Sequence, residues 1–298
     1  MVYILEASEV IDKIIHLFGR DTETNIVRHF EIKDFNQYLF VKCRRDLQDC
    51  VSCYNEPVRK VIYKTPSEHA ALIRRHRSTY DGDLRRDVQY LIERNIRYAF
   101  DEEMNPVDAG ITPPRVCYYD IEVHSSDDEF PTPEAAAHPI VAISSKDSHT
   151  GAERIFTLKG DYKVCREHTR LPTEKALIEE WARWVAKYDF DILTGWYNLG
   201  FDWLYILNRA KKLKADISQL SRIPSVYPDE KSICGRTHVD MLEMFKVWAQ
   251  SGGQLDSYDL KSISANPKFG DFAYADYGAS IGTLIEAGDW HTLVQYSL

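Results

Sequence analysis

Short apolar runs broken by turn residues open the chain, and longer runs with a helical period follow. Ile11 to Phe18 reads as a strand, Gly19-Arg20-Asp21 and Thr24-Asn25 as turns, and Ile26 to Ile32 resumes the strand pattern. Gln37 to Cys43 is a further strand, with Tyr38, Phe40 and Val41 available for burial. Thr65-Pro66-Ser67-Glu68 opens a helix, with Ser or Thr at the cap and proline near the first turn, and its body from Ala70 to Arg77 is basic. A second helix is predicted from about Leu84 to Arg94, because Leu84, Val88, Leu91 and Ile92 recur on one face. Glycine and paired prolines in Ala109-Gly110-Ile111-Thr112-Pro113-Pro114 interrupt any regular element. The chain is therefore divided there into domains 1–112 and 113–298.

Past that boundary, Arg115 to Val123 is a strand. Pro139 to Ser145 and Arg154 to Leu158 are two more, parted by the polar turn at 147–151. Thr173 caps an amphipathic helix to Tyr188 that turns Leu177, Trp181, Trp184 and Val185 inward. Asp191 to Trp196 is a short apolar strand, followed by a turn through Tyr197-Asn198-Leu199-Gly200 and a helix from about Asp202 to Leu213. A strand at Arg236 to Asp240 and helices at Met241 to Trp248, Asp256 to Ala265 and Ile281 onward complete the pattern. Tyr118, Tyr119, Trp181, Trp184 and Trp196 are expected in the core. The order predicts an α/β fold, a mixed sheet with flanking helices, preceded by a β-rich α+β domain.

Composition narrows the function classes. With 298 residues the chain can bury two cores, and 44% hydrophobic with 12% aromatic content excludes a disordered protein. A net charge of −9 argues against nucleic-acid binding over the whole surface. It leaves room for a local basic groove, or for an acidic site that reaches phosphates through metal ions. The arginines at 74, 75, 77, 85, 86, 94 and 97 either track a phosphate backbone or form a solvated helix face. The six cysteines form no disulfide-like framework, and Cys43, Cys50 and Cys53 lack a fourth zinc ligand at local spacing. The start lacks the basic and apolar regions of a signal peptide, and no apolar run approaches membrane-spanning length. A cytoplasmic chain without a membrane partner is the expectation.

The candidate chemistry lies in Cys117-Tyr118-Tyr119-Asp120-Ile121-Glu122-Val123. Alternation along a strand points Asp120 and Glu122 one way and Ile121 into the core. Two carboxylates so placed repel each other, and a hard divalent cation such as magnesium or manganese relieves the repulsion. Asp202 stands where a strand has ended and a helix begins, after a glycine that permits a tight approach. It either caps that helix or joins the first two acids. Asn198 and Phe201 supply an amide and an aromatic edge suited to a sugar or phosphate contact and to base stacking. If Asp120, Glu122 and Asp202 meet, two metals held there can flank a phosphodiester.

At these residues the sequence resembles a known family. Asp120-Ile121-Glu122, then Asn198-Leu199-Gly200-Phe201-Asp202, then Tyr296 near a helical end are similar to the three motifs of the proofreading 3′→5′ exonuclease of family B DNA polymerases. Phe130-Pro131-Thr132-Pro133 with His138 to Ser144, Arg236 to Met241, and Ser257 to Ile263 resemble the segments around and between those motifs. Thr79 to Leu84 and Tyr90 to Ile96 look like the end of the family's N-terminal domain, so the resemblance covers nearly the whole chain. It implies an RNase H-like fold for 113–298 and a template-side domain for 1–112. By position, Asp120, Glu122 and Asp202 would be catalytic and metal ligands for two Mg2+ (or Mn2+) ions, with Glu122 also orienting the attacking water. Asn198 and Phe201 would bind the terminal nucleotides of substrate DNA, and Tyr296 would align the water. The implied partners are DNA (a single-stranded 3′ end and template), the remainder of the polymerase and a sliding clamp. The implied place of work is a nucleoid or viral replication site.

The sequence departs from the family pattern at one point. The third motif pairs its tyrosine with an aspartate four residues later, which would fall at position 300, past Leu298. Asp289 lies too early on that helix to substitute. The expectation is the N-terminal and exonuclease portion of a polymerase, cut inside the third motif and impaired as a nuclease. The alternative is a non-catalytic nucleic-acid-binding module or an accessory chain of a split polymerase. A free-standing nuclease acting on RNA fits the N-terminal domain less well.

Overall fold

The computed structural model describes residues 1–110, 112–124, 130–159, 167–249, 255, 257–269 and 281–297. It divides into two compact units, Met1–Thr112 and Pro113–Leu298.

The first unit begins with a hairpin of β1 (Val2–Ile11) and β2 (Ile14–Asp21). Its tip is Asp12-Lys13, both in the left-handed region at φ 50° and 66°. A two-residue hairpin that matches strand twist needs this pair of angles. Lysine gives no sign of it, which is why one strand was predicted straight through the turn from Ile11. β3 (Val27–Ile32) lies beside β2, and β8 (Ala99–Asp101) beside β1. A second sheet has the order β5 (Cys50–Val51), β6 (Pro57–Ile62), β4 (Tyr38–Lys42), β7 (Thr79–Tyr80). Thr65 caps α1 (Pro66–Arg75) by accepting the Glu68 N–H at 3.1 Å, while the Glu68 carboxylate reaches back to the Lys64 N–H at 2.8 Å.

Helix α2 (Arg86–Arg94) corrects the predicted face: Tyr90, Gln89 and Asp87 are buried and Ile92 is exposed. Gln89 turns inward because its amide bonds the Tyr38 carbonyl at 2.8 Å and the Asp81 carbonyl at 2.9 Å. Asp87 follows because Arg85 pairs with it and the Ser8 hydroxyl donates to it at 2.7 Å. Arg74, Arg75 and Arg77 are exposed.

The second unit is built on one sheet. Its strands are β9 (Val116–Val123), β10 (Ile140–Asp147), β11 (Glu153–Thr157), β12 (Glu167–Arg170), β13 (Ile192–Gly195) and β14 (Thr237–Asp240). They run in the order β12-β11-β10-β9-β13-β14. β10 is antiparallel to both its neighbours, β9 and β11, whereas β13 is parallel to both β9 and β14, and β12 is parallel to β11. This is the mixed sheet expected, with β12 added at its edge. On one face α3 (Glu174–Tyr188) and α4 (Asp202–Leu213) bury Trp181, Trp184, Trp203 and Tyr205 against Tyr119, Ile121 and Ile143. On the other face α7 (Ile281–Glu286) and α8 (Trp290–Ser297) set Leu284, Trp290 and Leu293 against Val141, Ala142 and Ile155. α5 (Met241–Ala249) follows β14 directly.

Several expectations change here. The predicted helix from Ile281 breaks at Gly288 (φ 71°), and Asp289 caps α8 by accepting the Thr292 N–H at 3.1 Å. α6 (Leu260–Ser264) is shorter than predicted because Asp259 caps it, accepting the Ser262 N–H at 2.8 Å; Asp256 lies outside the described residues. Tyr118 is 44% exposed and Trp196 half-buried rather than core. No helix among the described residues is long and apolar enough to cross a membrane.

An ionic network ties together the starts of β9, β13 and β14. Asp191 accepts the Arg115 N–H at 2.8 Å and the Arg222 Nη2 at 2.8 Å. Asp189 accepts Arg222 Nε and Arg236 Nη1, each at 3.1 Å, while Arg236 Nε donates to the Leu220 carbonyl at 2.7 Å. Burial of Arg236, with Arg222 beside it, lowers its pKa to about 10. Arg115 also grips Asp147 through Nε at 3.1 Å and Nη2 at 2.6 Å. These bonds, with the Thr150 hydroxyl and the His149 N–H, outweigh burial and hold the Asp147 carboxyl at about 2.

Candidate active site

β9 carries the first two acids, and its burial alternates as a strand facing two environments must. Cys117, Tyr119 and Ile121 are core, while Tyr118 and Asp120 are open on the other face, which Glu122 shares. β10 sets Ser144 opposite Asp120 and Ala142 opposite Glu122, and its register slips between Ile140 and Ala142. That bulge beside Glu122 turns both Val141 and Ala142 toward α8. An open depression of about 340 Å³ lies over Asp120, lined by Tyr118, Ser144, Lys146, Trp196 and Met241 among others.

The third acid arrives from β13 through a constrained turn. A Cβ on Gly195 would lie 2.5 Å from the Tyr119 carbonyl oxygen, so only glycine lets the chain leave the sheet this close to β9. Tyr197 takes a left-handed conformation at φ 59° and folds its ring over Gly200, where a Cβ would meet it at 2.2 Å. Asp240, at the end of β14, holds the turn by accepting the Tyr197 and Leu199 N–H groups, each at 3.1 Å, and the Leu242 N–H at 2.9 Å. Sequence reasoning assigned Asp240 no role. Its signal was an acid at a strand end immediately before a helix.

Asp202 is the first residue of α4, and the residue before it makes no side-chain cap. Its Oδ1 accepts the Ile121 N–H of β9 at 3.2 Å, so the carboxylate turns to the acid strand. Asp202 is buried and hydrogen-bonds side chain to side chain with Asp120. Burial, then the Asp120 charge, push the Asp202 carboxyl well above the ordinary range, and desolvation raises Asp120 too, against the pull of its hydrogen bond to Asp202. Two carboxylates so close resist ionising together, and a cation between them would relieve that.

Glu122 is buried on the same strand face, two positions along. The one set of three potential ligands within 4.8 Å of one another among the described residues lies elsewhere, at His16, His29 and Glu31. The structure thus brings Asp120 and Asp202 into hydrogen-bond reach, while the three acids together do not all lie within 4.8 Å of one another. The donors are carboxylate oxygens only, a hard set that suits magnesium or manganese. The close approach of two carboxyl groups is the observation that fits a cation there.

The remaining candidates are placed as follows. Asn198, expected at the terminal nucleotide, is wholly buried, with its amide nitrogen 3.3 Å from the Tyr119 hydroxyl and 3.1 Å from His238 Nε2. It faces the core because Tyr119 and the half-buried His238, whose pKa desolvation lowers to about 4, need polar partners there. Phe201 is half-buried between Tyr205 at 5.5 Å and Phe130 at 5.8 Å between ring centroids. Phe130 is 82% exposed, an aromatic that sequence reasoning quoted but gave no role. Tyr296 belongs to α8, which packs on β10; its side chain lies outside the described residues.

Comparison with known proteins adds to this geometry. The family described as DNA polymerase family B, exonuclease domain, matches residues 84–263. The DNA polymerase delta catalytic subunit of Dictyostelium discoideum is 29% identical over 184 residues, 53% of this chain and 16% of that protein. The corresponding subunit of Caenorhabditis elegans is 36% identical over 121 residues, 38% of this chain and 11% of that one. A DNA polymerase of Pyramimonas orientalis virus is 24% identical over 265 residues, 78% of this chain and 20% of that one. The chain thus spans a fifth or less of the length of these relatives. Among solved structures, the family B DNA polymerase of the archaeon Pyrobaculum calidifontis is similar in fold, with a TM-score of 0.66 and 19% identity over 100% of this chain and 44% of that one. The fold is RNase H-like, as the strand order within the second unit indicates.

Proposed function

The chain belongs to the family B DNA polymerases and carries their exonuclease domain, and from that premise we propose that it removes nucleotides hydrolytically from the 3′ end of DNA during replication. The observation that carries this reading is the meeting of Asp120 and Asp202, from a strand and a separate helix, as carboxyl groups within hydrogen-bond reach of each other. Asp120, Glu122 and Asp202 would hold two Mg2+ or Mn2+ ions, which supply an activated water and charge stabilisation at the leaving oxygen. The chain's own residues do the rest. Glu122 orients the water from the bulged side of β9, and Tyr296 aligns it from α8. Asn198 and Asp240 position Phe201 and Asp202 by fixing the turn before them. Phe201 and Phe130 present ring faces to unstacked terminal bases. Residues 1–112 serve the template side. The partners on this reading are DNA, the remainder of a polymerase chain and a sliding clamp, at a nucleoid or viral replication site in the cytoplasm.

The test is release of 3′-terminal nucleotides from single-stranded DNA by the full-length protein with magnesium, manganese or a chelator. Metal-dependent release is expected, with DNA degraded in preference to RNA. Salt-sensitive binding without any cleavage would leave a holding module instead. In the same assay Phe130→Ala is expected to weaken single-stranded DNA binding by about 1–3 kcal/mol, since each base stacked on an aromatic ring contributes that much. An unchanged affinity by fluorescence anisotropy would remove Phe130 from the substrate path.

A further inference from the structure

Far along the chain from the acids, register rather than loop chemistry collects a different set of ligands. β2 and β3 pair antiparallel with His16 opposite Glu31 and Phe18 opposite His29. Alternate positions on a strand share a face, so His29 and Glu31 both lean toward His16 from the edge strand. One ligand atom from each of the three falls within 4.8 Å of the others. His16 is only 6% exposed, and its Nδ1 lies 2.7 Å from His29 Nε2. The two rings stack at 5.0 Å, and Phe18 stacks beneath His29 at 5.0 Å, which fixes the imidazole planes. Burial and the neighbouring His16 lower the pKa of His29, which favours the neutral ring a metal needs.

The geometry points to a transition-metal site of the zinc class at His16, His29 and Glu31. Two imidazole nitrogens and one carboxylate oxygen are a known zinc set, and they leave a fourth position for water. Nitrogens on one tetrahedral zinc stand about 3.3 Å apart for bonds of about 2.0 Å, so the rings need part by only about half an ångström. The proton now between the rings moves to the outward nitrogen of its own ring, and the ion takes its place, so both imidazoles stay neutral. Lys33, which holds Glu31 from outside at 3.1 Å, is exposed and free to swing to water. A metal here would pin edge strand β3 to β2. The proposal is independent of the nuclease reading.

The test is titration of the full-length protein with Zn2+, and with Co2+ as a spectroscopic stand-in. With excess magnesium holding the acids at 120, 122 and 202, one zinc per chain is expected, with the visible absorption of a tetrahedral nitrogen and oxygen site in the cobalt form and a rise in thermal midpoint. His29→Ala and Glu31→Gln alter exposed positions, and each is expected to weaken binding by at least about a hundredfold, the upper end of what losing even an outer partner costs. Asp202→Asn should leave this binding unchanged. Three results would overturn the site: no zinc uptake, binding indifferent to His29→Ala, or a thiolate-to-cobalt band traceable to the free Cys43, Cys50 or Cys53. In the last case the histidine pair serves only as a hydrogen bond between strands.

Discussion

Asp202→Asn is expected to lower metal-dependent release of 3′ nucleotides by about a thousandfold or more, because losing one preorganised electrostatic partner already costs about 10²–10³. The substitution keeps the shape and an acceptor for the Ile121 N–H but removes the charge that holds a cation. A second readout separates lost chemistry from lost fold. The Asp202 carboxyl is raised by burial and by Asp120, so the folded chain binds that proton more tightly than the unfolded one. Such a group contributes stability fully below its unfolded pKa near 3.8 and loses it as pH rises through the folded value. Without metal, the wild type should therefore lose stability as pH climbs above that point, and Asp202→Asn, left with only the desolvated Asp120, should lose less. Magnesium or manganese should restore the wild type and leave the variant unmoved. Unchanged activity in the variant would end the site assignment, and a variant unfolded at every pH would reduce Asp202 to a structural role.

Asp191→Ala is expected to cost about 3–5 kcal/mol of stability, the penalty for removing one partner of a buried ion pair. The change takes one of two carboxylates from the buried Arg222 guanidinium, which keeps Asp189, and leaves the Arg115 N–H at the head of β9 without its acceptor. For a domain of this size, that loss corresponds to a fall of roughly 6–20 °C in thermal midpoint. Asp191→Asn keeps the acceptor and should lose less. Urea midpoints for the two variants check this ordering. Equal losses would mean that packing at that corner, and not charge, holds the strand starts together.

Much of the second unit was legible because its strands and helices announce themselves by period. Thr173 caps α3 as predicted, accepting the Ala176 N–H at 3.2 Å, and Leu177, Trp181, Trp184 and Val185 are all buried. The first unit was harder. Its hairpin turns on Asp12-Lys13 and its helix α2 buries Gln89 and Asp87, choices made by tertiary partners that no local pattern records. At the site, strand alternation placed Asp120 on the open face, but the glycine that allows the close approach to β9 is Gly195, while Gly200, the one the sequence singled out, only receives the Tyr197 ring. The inward turn of Asn198 was invisible, because it depends on Tyr119 and His238, each far away in sequence. The histidine cluster escaped for a similar reason: its members are unremarkable until two strands are laid side by side.

The Ile121 amide has one further implication. β13 stops pairing with β9 at Thr194 opposite Tyr118, and the next free stretch of β9 finds its acceptor in Asp202. The segment from Gly195 to Asp202 thus works as a spacer of fixed length, measured against a strand that advances about 3.3 Å per residue. Gain or loss of a single residue within it would misplace the Asp202 carboxylate relative to Asp120, whose strand does not move with the turn.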